Sequence, residues 1–449
     1  AKPGFINFYL ADEFLLKKAD EILEKRNNFG KLENSDPKKI QVEFISANPT
    51  GPLTLANGRG GFSGDVLAKI LELAGNEVER EYYVNDFGNQ IKILGESILG
   101  VAEEGYQGTY IDELKKKFTE QKKSAEKVGE LAAEYILAEY IKPTLEKAKI
   151  EFDNFYSERE LHQSGKVNEM LEVLKEKKLV YESDGAVWLK TTGNDNEEDD
   201  KDRVLVKSDG NKTYFLADIA YHWNKLHERK FDKVINLWGA DHHGYVPRMK
   251  QAVALLGYEG QLEILLMQLV RLVKDGKEYK MSKRKGVYVL LEELIDEVGL
   301  DVTRFFFLMH ANNKAMDFDL DLAKEKSNKN PVFHVQYAYA RIVSILEKIE
   351  NENLTLKKEK IKFETTEKAL MAELIKWPEV VMEVAESYEV HRIVFYAIGV
   401  ADKFHDFYEQ VRVIDNDQVV EYRLGLIRGA KQVLENVFNV LGVRAPEKM

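Results

Sequence analysis

Cysteine is absent from the 449-residue chain. A disulfide framework, a thiolate zinc site and a cysteine nucleophile are therefore excluded, and the composition suits a reducing compartment. Long apolar runs are missing as well. The most apolar stretch, 264–273, is interrupted by Gln268 and Arg271 and is much shorter than the roughly 20 apolar residues that span a membrane. We therefore expect a cytoplasmic protein without a membrane partner.

An excess of positive charge is also missing, since 65 Lys and Arg residues face 77 Asp and Glu residues and the formal net charge is −12. Neutralisation of phosphates by Lys and Arg supplies most non-specific affinity for nucleic acid, so the total argues against a nucleic-acid partner unless basic residues cluster locally, and no DNA partner is expected. A hydrophobic share of 44% argues against disorder, and the length predicts about three domains. Basic residues nevertheless concentrate at 280–285.

The first part of the chain alternates between strand-like and helical patterns. Turn residues at 34–37 separate a leading helix from the rest, and a Gly/Pro turn at 48–52 follows the first strand. The regular segments are a helix at 11–26, a strand at 40–45, a helix at 58–74 and a strand at 77–84. This order opens a βαβ unit, which predicts a parallel sheet that binds ligands at the carboxyl ends of its strands.

The remaining patterns indicate an insertion and then a helical region. Segment 91–150 is helical and rich in charge, 185–206 is a hairpin with an acidic tip at 193–200, and strand-like runs return at 213–216 and 233–238. We expect an α/β fold in which a Rossmann-like parallel-sheet domain with an inserted α+β segment is followed by an all-α helical bundle. The predicted boundaries are 1–38 for a remnant of a preceding domain with a linker helix, 39–319 for the sheet domain with its insertion at about 91–206, and 320–449 for the bundle.

The basic cluster begins with Lys280 and continues as Met281, Ser282, Lys283 and Arg284. Ammonium groups on a glycine-ended loop can neutralise a triphosphate while pyrophosphate leaves. The run is equally typical of a solvated basic loop, because short stretches rich in Lys and Arg are common. Spacing alone leaves both interpretations open.

Several longer motifs resemble those of one family. They are VEFISANPTGPL at 42–53, WGADHHGY at 238–245, KMSKR at 280–284, MDFDLD at 316–321, NPVFHVQYAYAR at 330–341 and LGVRAPEKM at 441–449. KMSK is the second signature of class I aminoacyl-tRNA synthetases, and the whole set resembles arginyl-tRNA synthetases over nearly the whole chain. The resemblance implies a catalytic domain at 39–319 and an anticodon-binding bundle at 320–449.

The resemblance also implies a reaction in two steps. L-arginine and ATP, the latter with Mg²⁺, give arginyl-adenylate and pyrophosphate, and the terminal ribose of tRNA(Arg) then takes the arginyl group. A dedicated metal site in the protein is not expected. Activation is expected to require bound tRNA, and the chain is expected to be a monomer.

The first signature departs from the family, which carries two histidines where this chain has Thr54 and Asn57. The family's histidines bind the ATP phosphates. Thr and Asn donate neutral hydrogen bonds, worth about 0.5–1.5 kcal/mol against roughly 1.5–3 kcal/mol for charge-assisted ones, so lowered activity is expected. Backbone N–H groups of the following helix remain available to phosphate. Asn57 could instead be the N-cap of that helix.

A second departure lies at the front of the chain. Residues 4–9 resemble the join between the family's N-terminal tRNA-elbow domain and its catalytic domain. We therefore expect the elbow domain to be absent. Recognition of the tRNA elbow is then in question, whereas adenylate formation and anticodon contacts need not be.

The resemblance assigns roles to individual residues. The expected catalytic residues are Lys280, Lys283, Thr54 and Asn57, and the expected ATP-binding residues are Gly58, Gly239, Asp241, His242, Met281, Ser282 and Lys283. The expected arginine-binding residues are Glu43, Ser46, Asn48, Tyr214, Asp218 and His242. A guanidinium is planar, permanently charged and carries five donors, so its pocket needs carboxylates and further acceptors.

These residues also have ordinary structural explanations. Asp218 could be a charge at a helix N-terminus, and Glu43 could be an exposed strand residue. Asn48 could be a turn former. The pair of His242 and His243 does not favour a metal site, because no third ligand follows at ligand spacing.

Aromatic residues and a cation alternate at 336–341. The expected tRNA-binding residues are Gln336, Tyr337, Tyr339, Arg341 and Met449. Tyrosines beside a guanidinium suit the stacking of unpaired anticodon bases, although tyrosines at helical spacing are also typical of a core. The family usually has histidine where Tyr339 stands. Met449 is expected near the anticodon, with a frayed tail as the alternative.

Two other functions fit parts of the pattern. A non-catalytic or weakly active paralogue that binds tRNA or arginine would explain the missing histidines and the missing front domain. The retained basic loop and arginine-pocket residues argue against it. A synthetase for another amino acid would require Glu43 and Asp218 to face away from the pocket.

Overall fold

A computed structural model describes residues 10–119, 123–192, 201–279, 289–352, 354–359, 361–415 and 417–449. The strands are β1 (Lys39–Glu43), β2 (Glu77–Val84), β3 (Asn154–Ser157), β4 (Val180–Ser183), β5 (Ala186–Leu189), β6 (Arg203–Val206), β7 (Lys233–Gly239), β8 (Leu262–Met267), β9 (Val270–Lys274), β10 (Lys277–Glu278), β11 (Met316–Asp319), β12 (Thr355–Lys357), β13 (Ile414–Asp415) and β14 (Gln418–Val420). The helices are α1 (Asp12–Lys25), α2 (Leu55–Leu73), α3 (Asn89–Leu99), α4 (Thr109–Phe118), α5 (Ala125–Ile136), α6 (Lys142–Lys147), α7 (Glu158–Gln163), α8 (Lys166–Glu176), α9 (Tyr214–Trp223), α10 (Val246–Leu255), α11 (Leu291–Val298), α12 (Leu300–Leu308), α13 (Leu320–Lys324), α14 (Pro331–Asn351), α15 (Thr365–Leu374), α16 (Trp377–Ser387), α17 (His391–Gln410) and α18 (Glu421–Leu441).

The first half of the molecule is built on a five-stranded parallel sheet with the order β3-β2-β1-β7-β8. Ile40 and Val42 of β1 are buried and pair with neighbours on both sides. β-Branched residues suit a strand that is covered on both faces. The strand order reverses between β1 and β7, so their carboxyl ends border the crevice in which such sheets bind ligands. The predicted Rossmann-like α/β fold is confirmed.

Some predicted strands agree with the structure and one does not. The confirmed ones are β2, predicted at 77–84, β7, predicted at 233–238, and the β5–β6 hairpin, predicted at 185–206. The strand predicted at 213–216 is wrong, because α9 begins at Tyr214 with Thr213 as its N-cap. A short apolar run does not distinguish a strand from a buried helix, and here the apolar positions continue to Trp223.

Segment 91–206 also contributes to the main sheet. β3 lies within it and pairs in parallel with β2, from Asn154 with Glu81 to Ser157 with Val84. The rest of the segment forms helices and a separate antiparallel sheet, β4-β5-β6. The acidic tip predicted at 193–200 lies outside the described residues.

Helix α2 connects the sheet to the C-terminal helices. Most of its residues are buried, and it packs against α11, α12, α16 and α18. Gly64 allows it to touch β1 closely, since a Cβ there would lie 2.2 Å from the ring of Phe44. Helix α2 therefore contacts both the sheet region and the C-terminal helices.

A buried arginine joins the same two regions. Arg304 of α12 donates to the carbonyl of Leu441 at 2.7 Å and to that of Ala148 at 3.0 Å, and it pairs with Asp65 of α2. Gly442, with φ of 67°, leaves room for the guanidinium, because a Cβ there would lie 2.6 Å from it. The carboxyl end of helix α18 is therefore hydrogen-bonded to the positive charge of Arg304, which lies on α12, before the C-terminal helices in sequence.

The helical region predicted from residue 320 is confirmed by α14 to α18, which a small sheet, β12-β14-β13, accompanies. Its core is apolar, with side chains such as Trp377 and Phe404 fully buried. Within the described ranges, no helix combines the length and the apolarity that crossing a membrane requires.

Candidate active site

A cleft of about 850 Å³ opens beside the carboxyl ends of β1 and β7. The predicted site residues that line it together are Ser46, Asn48, Thr54, Asn57 and His242. Residues 105–110 and the start of α11 complete its walls. Asn48 is held in place from α3, because its amide donates to Gln90. The structure thus brings predicted ATP-binding and arginine-binding residues to one place.

The turn that follows β1 is strained and tied down. Ile45 and Ser46 have φ of 65° and 40°, in the left-handed region that residues other than glycine rarely adopt. Ser46 Oγ donates to Glu43 Oε1 at 3.1 Å and accepts the backbone N–H of Tyr83 at 3.1 Å. Strain that surrounding bonds maintain is typical of functional sites, where it fixes the direction of side chains.

Thr54 and Asn57 bind each other at the start of α2. Asn57 Oδ1 accepts the backbone N–H of Thr54 at 2.8 Å and its hydroxyl at 2.9 Å. The alternative that Asn57 is the N-cap is wrong, because Thr54 occupies that position and Asn57 lies three residues further on. No described residue accepts a hydrogen bond from Asn57 Nδ2, so this amide can donate to a ligand in the cleft.

The residues after the basic segment are bonded to the start of α2. The predicted residues Lys280, Met281, Ser282 and Lys283 lie outside the described part of the chain. Where the description resumes, the Val289 carbonyl accepts the N–H of Leu55 at 2.9 Å, and the N–H of Leu291 donates to Leu53 at 2.9 Å. The described residues that follow the second signature in sequence therefore lie beside the start of α2.

Glu43 is only 6% exposed at the end of β1, so its interpretation as an exposed strand residue is wrong. Its Oε2 accepts from Nζ of Lys225 and lies 3.0 Å from the hydroxyl of Tyr221. Lys225 is fully buried. A buried carboxylate needs such partners, and they hold Glu43 with its other oxygen on Ser46.

Asp218 lies in the second turn of α9 and is partly exposed, so it is not a charge at the helix N-terminus. Tyr245 donates its hydroxyl to Asp218 Oδ2 at 2.5 Å. Loss of hydration, reinforced by the charges of Glu158 and Glu43, raises the pKa of Asp218 to about 7. A cation bound here would stabilise the carboxylate and lower that pKa.

Two further groups face these acids. Glu158 begins α7 directly after β3, is 3% exposed, and has an Oε2 without a hydrogen-bond partner among the described residues. The hydroxyl of Tyr83 is likewise buried without a partner among them, and burial together with the charge of Glu158 raises its pKa. Sequence reasoning misses Glu158, because the sequence does not mark β3 as a strand of the main sheet. A carboxylate directly after a parallel strand becomes a signal only once that register is known.

Tyr214 is the first residue of α9. It is 64% exposed and lies one helical turn before Asp218. Its hydroxyl lies over Gly88, where a Cβ would come within 3.3 Å. Gly88 is followed closely by Gln90, the residue that holds Asn48. Helix α9 puts Tyr214 and Asp218 four residues apart on one face, as their spacing predicts, and the arginine-binding role of Tyr214 stays a prediction.

The loop after β7 carries the remaining predicted ATP residues. Gly239 ends the strand, and a side chain there would displace Asp241, whose Oδ1 lies 2.4 Å from the position of a Cβ. Asp241 and His242 are exposed, and His242 lines the cleft. Gly58 lies within α2, where its lack of a side chain admits Leu291, 2.6 Å from a Cβ position.

The predicted tRNA-binding residues occupy two faces of α14. Gln336 and Tyr339 face a cavity of about 1220 Å³ that Met449 also lines. Tyr339 is 3% exposed and donates to Glu435 at 2.6 Å, which are features of a core residue at the edge of a cavity.

Tyr337 and Arg341 lie on the adjoining face of α14. The guanidinium of Arg341 lies 5.3 Å from the ring centres of both Tyr337 and Tyr408, and the ring of Tyr337 stacks on His405. We call Tyr337, Arg341, His405 and Tyr408 the aromatic face. Its partly exposed rings and cation are suited to stacking on bases.

Comparison with protein families accounts for most of the chain. Residues 18–142 and 126–330 match the family described as tRNA synthetases class I (R), catalytic domain. Residues 335–449 match the family described as DALR anticodon binding domain.

Individual proteins are similar over the full chain. The arginine–tRNA ligase of Bacillus subtilis (strain 168) is 44% identical over 477 residues, which cover 100% of this chain and 85% of the relative. That of Listeria welshimeri is 45% identical over 478 residues with the same coverage. Among solved structures, a Campylobacter jejuni protein described as an arginyl-tRNA synthetase has a TM-score of 0.88 at 34% identity, covering 98% of this chain and 100% of that one. Thermus thermophilus arginyl-tRNA synthetase, at 22% identity, shares the fold with a TM-score of 0.74 over 99% of this chain and 87% of its own.

Proposed function

Since this chain belongs to the arginyl-tRNA synthetase family, we propose that the cleft beside α2 is where it activates arginine. It is a class I ligase that joins arginine to tRNA with the use of ATP. The observation that carries the proposed location is the group of acids beside the cleft. Ser46 of the cleft wall donates to Glu43, Lys225 is bonded to Glu43, and the charges of Glu43 and Glu158 both act on Asp218.

This acidic group suits the guanidinium of arginine. A cationic side chain would stabilise the Asp218 carboxylate, whose pKa its surroundings raise to about 7. It could also satisfy the unpartnered Oε2 of Glu158. A neutral side chain of the same shape would leave buried acids without a counter-charge, and a site of this kind rejects such analogues strongly. Ser46 and Asn48 lie toward the cleft and would hold the amino and carboxylate groups of the substrate.

In the activation step, a carboxylate oxygen of arginine attacks the α-phosphorus of ATP, and the bond from that phosphorus to the bridging oxygen breaks as pyrophosphate leaves. The Asn57 amide faces the cleft and would donate to a phosphate, while Thr54 fixes its orientation through two hydrogen bonds. Lys280 and Lys283 would supply positive charge to the pyrophosphate, as the second signature implies.

We propose that Mg²⁺ enters with the ATP phosphates. Among the described residues, no group of three His, Asp or Glu side chains could hold a metal ion on its own. The protein's contribution is then to position the nucleotide through Asn57, Gly239 and His242, which border the cleft or the loop beside it.

The anticodon of tRNA(Arg) would meet the C-terminal helices. The cavity beside Gln336, Tyr339 and Met449 and the neighbouring aromatic face offer polar groups and stacking surfaces to unpaired bases. We further propose that the chain works in the cytoplasm as a monomer, which sedimentation in the presence and absence of tRNA tests.

The test is charging of tRNA(Arg) by the unmodified chain with ATP and Mg²⁺, using arginine and citrulline as alternative substrates. Citrulline has the shape of arginine but a neutral end. We expect arginine to be activated and transferred, with citrulline slower by at least about 10³-fold. Binding of arginine without adenylate formation or charging, even at high tRNA concentration, would contradict the proposal and favour a binding paralogue.

A further inference from the structure

Arg59 is a buried guanidinium with no carboxylate partner among the described residues. It is 1% exposed and lies in α2, two residues after Asn57. Burial lowers its pKa to about 10. Burying a charge without a counter-ion is unfavourable unless its hydrogen bonds are satisfied, so the partners of this group are informative.

Four backbone carbonyls from two loops surround the guanidinium. Nη1 of Arg59 donates to Gln268 at 2.8 Å and to Leu269 at 3.2 Å. Nη2 donates to Ala311 at 2.8 Å and to Lys314. Gln268 and Leu269 connect β8 to β9, and the other loop leads into β11. One planar group therefore ties two distant loops to the start of α2.

These loops support the small sheet that leads to the second signature. β9 pairs in parallel with β11, from Val270 with Met316 onward, and in antiparallel fashion with β10. β10 ends at Glu278, two residues before Lys280. On the far side of the signature, Val289 is bonded to Leu55. The chain is thus attached to the start of α2 both before and after the second signature.

We propose that Arg59 is a positioning residue for adenylate formation, which sets the distance between the start of α2 and the sheet β10-β9-β11. The inference rests on the proposed function of the cleft. Lysine would keep the charge, but its single nitrogen cannot replace a planar fork that bonds two loops at once.

The arrangement predicts which kinetic constants depend on Arg59. The acids proposed to bind arginine stand on β1, α7 and α9, none of which Arg59 contacts through its guanidinium. The groups proposed to bind ATP lie on α2 and beyond β10. Loss of the fork should therefore affect ATP and the chemical step and leave arginine binding unchanged.

Arg271 provides a matched control. It lies in β9 of the same sheet, and its guanidinium binds Asp317 of β11 through two hydrogen bonds at 2.8 and 3.0 Å. Its side chain is 62% exposed. Exposed ion pairs contribute little, so Arg271→Lys removes a bidentate arginine without loosening the sheet from α2.

The experiment compares the unmodified chain with Arg59→Lys and Arg271→Lys in tRNA-dependent ATP–pyrophosphate exchange. Hydrogen exchange of 270–274 and 316–319 is measured on the same samples. For Arg59→Lys we expect kcat to fall about 10²-fold, since a displacement of about 1 Å has this effect, with a raised KM for ATP and an unchanged KM for arginine. Exchange should quicken in β9 and β11 but not in β1 and β7. Arg271→Lys should change none of these.

An active Arg59→Lys chain with unchanged kcat, or with unchanged exchange in β9 and β11, would overturn the role of Arg59. The role of Arg59 would also be overturned if Arg59→Lys weakened arginine binding and at the same time made hydrogen exchange faster in the main sheet. If Arg59→Lys does not fold, Arg59→Gln, which keeps two donors, takes its place, and failure of both to fold would show a purely structural role. Inactivity of the unmodified chain would instead refute the proposed function, which separates the two failures.

Discussion

The cleft beside the sheet and the cavity beside the C-terminal tail both lie near acidic side chains, but the charges around them are arranged differently. Beside the cleft, three acids lie close together with Lys225 bonded to one of them. Beside the cavity, two acids are paired with cations: Asp301 accepts from Arg444 at 2.8 Å, and Glu435 accepts from Lys431 at 2.7 Å.

The difference corresponds to the ligands proposed for the two regions. A small cation is recognised by charge that the protein leaves uncompensated, whereas a large polyanion with many contacts can exchange partners with pairs that already exist. Glu43 ends one strand of the main sheet and Glu158 directly follows another, whereas Arg444 lies on the tail that follows α18. The first region is therefore tied to the main sheet, whereas RNA bound as proposed in the second would compete with ion pairs that already exist there.

The largest effect should follow from removing a charge beside the cleft. Asp218→Asn keeps the shape of the side chain but not its charge. We expect a loss of about 2–3 kcal/mol, or roughly 30- to 150-fold in kcat/KM for arginine, with an unchanged KM for tRNA. Steady-state charging measures both constants. Asp317→Asn, in the exposed pair with Arg271, is the control. A changed KM for tRNA in Asp218→Asn would contradict the assignment of arginine and tRNA to separate regions.

A pH series should separate the two regions next. The pKa of Asp218 is raised to about 7, and binding of a cation requires its ionised form. Affinity for arginine should therefore rise with pH through about 7 and fall by about tenfold per pH unit well below it. Calorimetric titration of arginine at several pH values measures this. In Asp218→Asn, the affinity for arginine should not change with pH over this range. If it changed as steeply as in the unmodified chain, a group other than Asp218 would be responsible for the pH dependence.

Restoring histidines in the first signature should have a moderate effect that is confined to the cleft. Thr54→His with Asn57→His would offer charge-assisted bonds to phosphate, worth about 1 kcal/mol more than neutral ones, and should raise the rate of adenylate formation about fivefold. The same change removes the N-cap, so thermal unfolding should show a loss of about 1 kcal/mol. If adenylate formation became faster without a loss of stability, or stability fell without a faster rate, phosphate binding and helix capping by these residues would not be linked as the hydrogen bonds indicate.

The smallest effect should come from the aromatic face. Tyr337→Leu removes one aromatic ring that could stack on a base, which should cost about 1 kcal/mol of tRNA-binding free energy. The KM for tRNA should therefore rise about fivefold, while kcat/KM for arginine at saturating tRNA stays unchanged. Tyr181→Leu, which removes another partly exposed tyrosine from the small sheet β4-β5-β6, is the control. An effect on arginine rather than on tRNA would place the anticodon elsewhere.

Local periodicity was sufficient to predict much of the fold. β2 and β7 follow from short β-rich runs, and α2 follows from apolar residues four apart, such as Phe62, Val66 and Ile70. The run at 213–216 misled because its apolar residues suit a strand and a buried helix equally. The contact between Asp218 and Tyr245 links that helix to the segment after β7, and this contact is not visible in the local sequence pattern.

Candidate site residues were easiest to predict within a continuous motif, whereas Tyr214 and Asp218 were assigned from the family resemblance outside such motifs. Ser46, Asn48, Thr54 and Asn57 lie within one stretch and were found together. The contacts that define the rest join distant positions: Lys225 is 182 residues from Glu43, and Arg59 is 209 residues from Gln268. Such pairs carry no local signal, because each side chain alone has the pattern of an ordinary strand or helix residue.

The ending of α18 has a consequence for recombining parts of this protein. The charge that caps this helix comes from Arg304, whose other partner, Asp65, lies in α2. A chimaera that imports the C-terminal helices of a relative would carry over the helix but not its cap. Unless the imported helix ended in glycine, as it does here at Gly442, a side chain would meet the buried guanidinium. Asp65, Arg304 and Gly442 should therefore be exchanged together in any such chimaera.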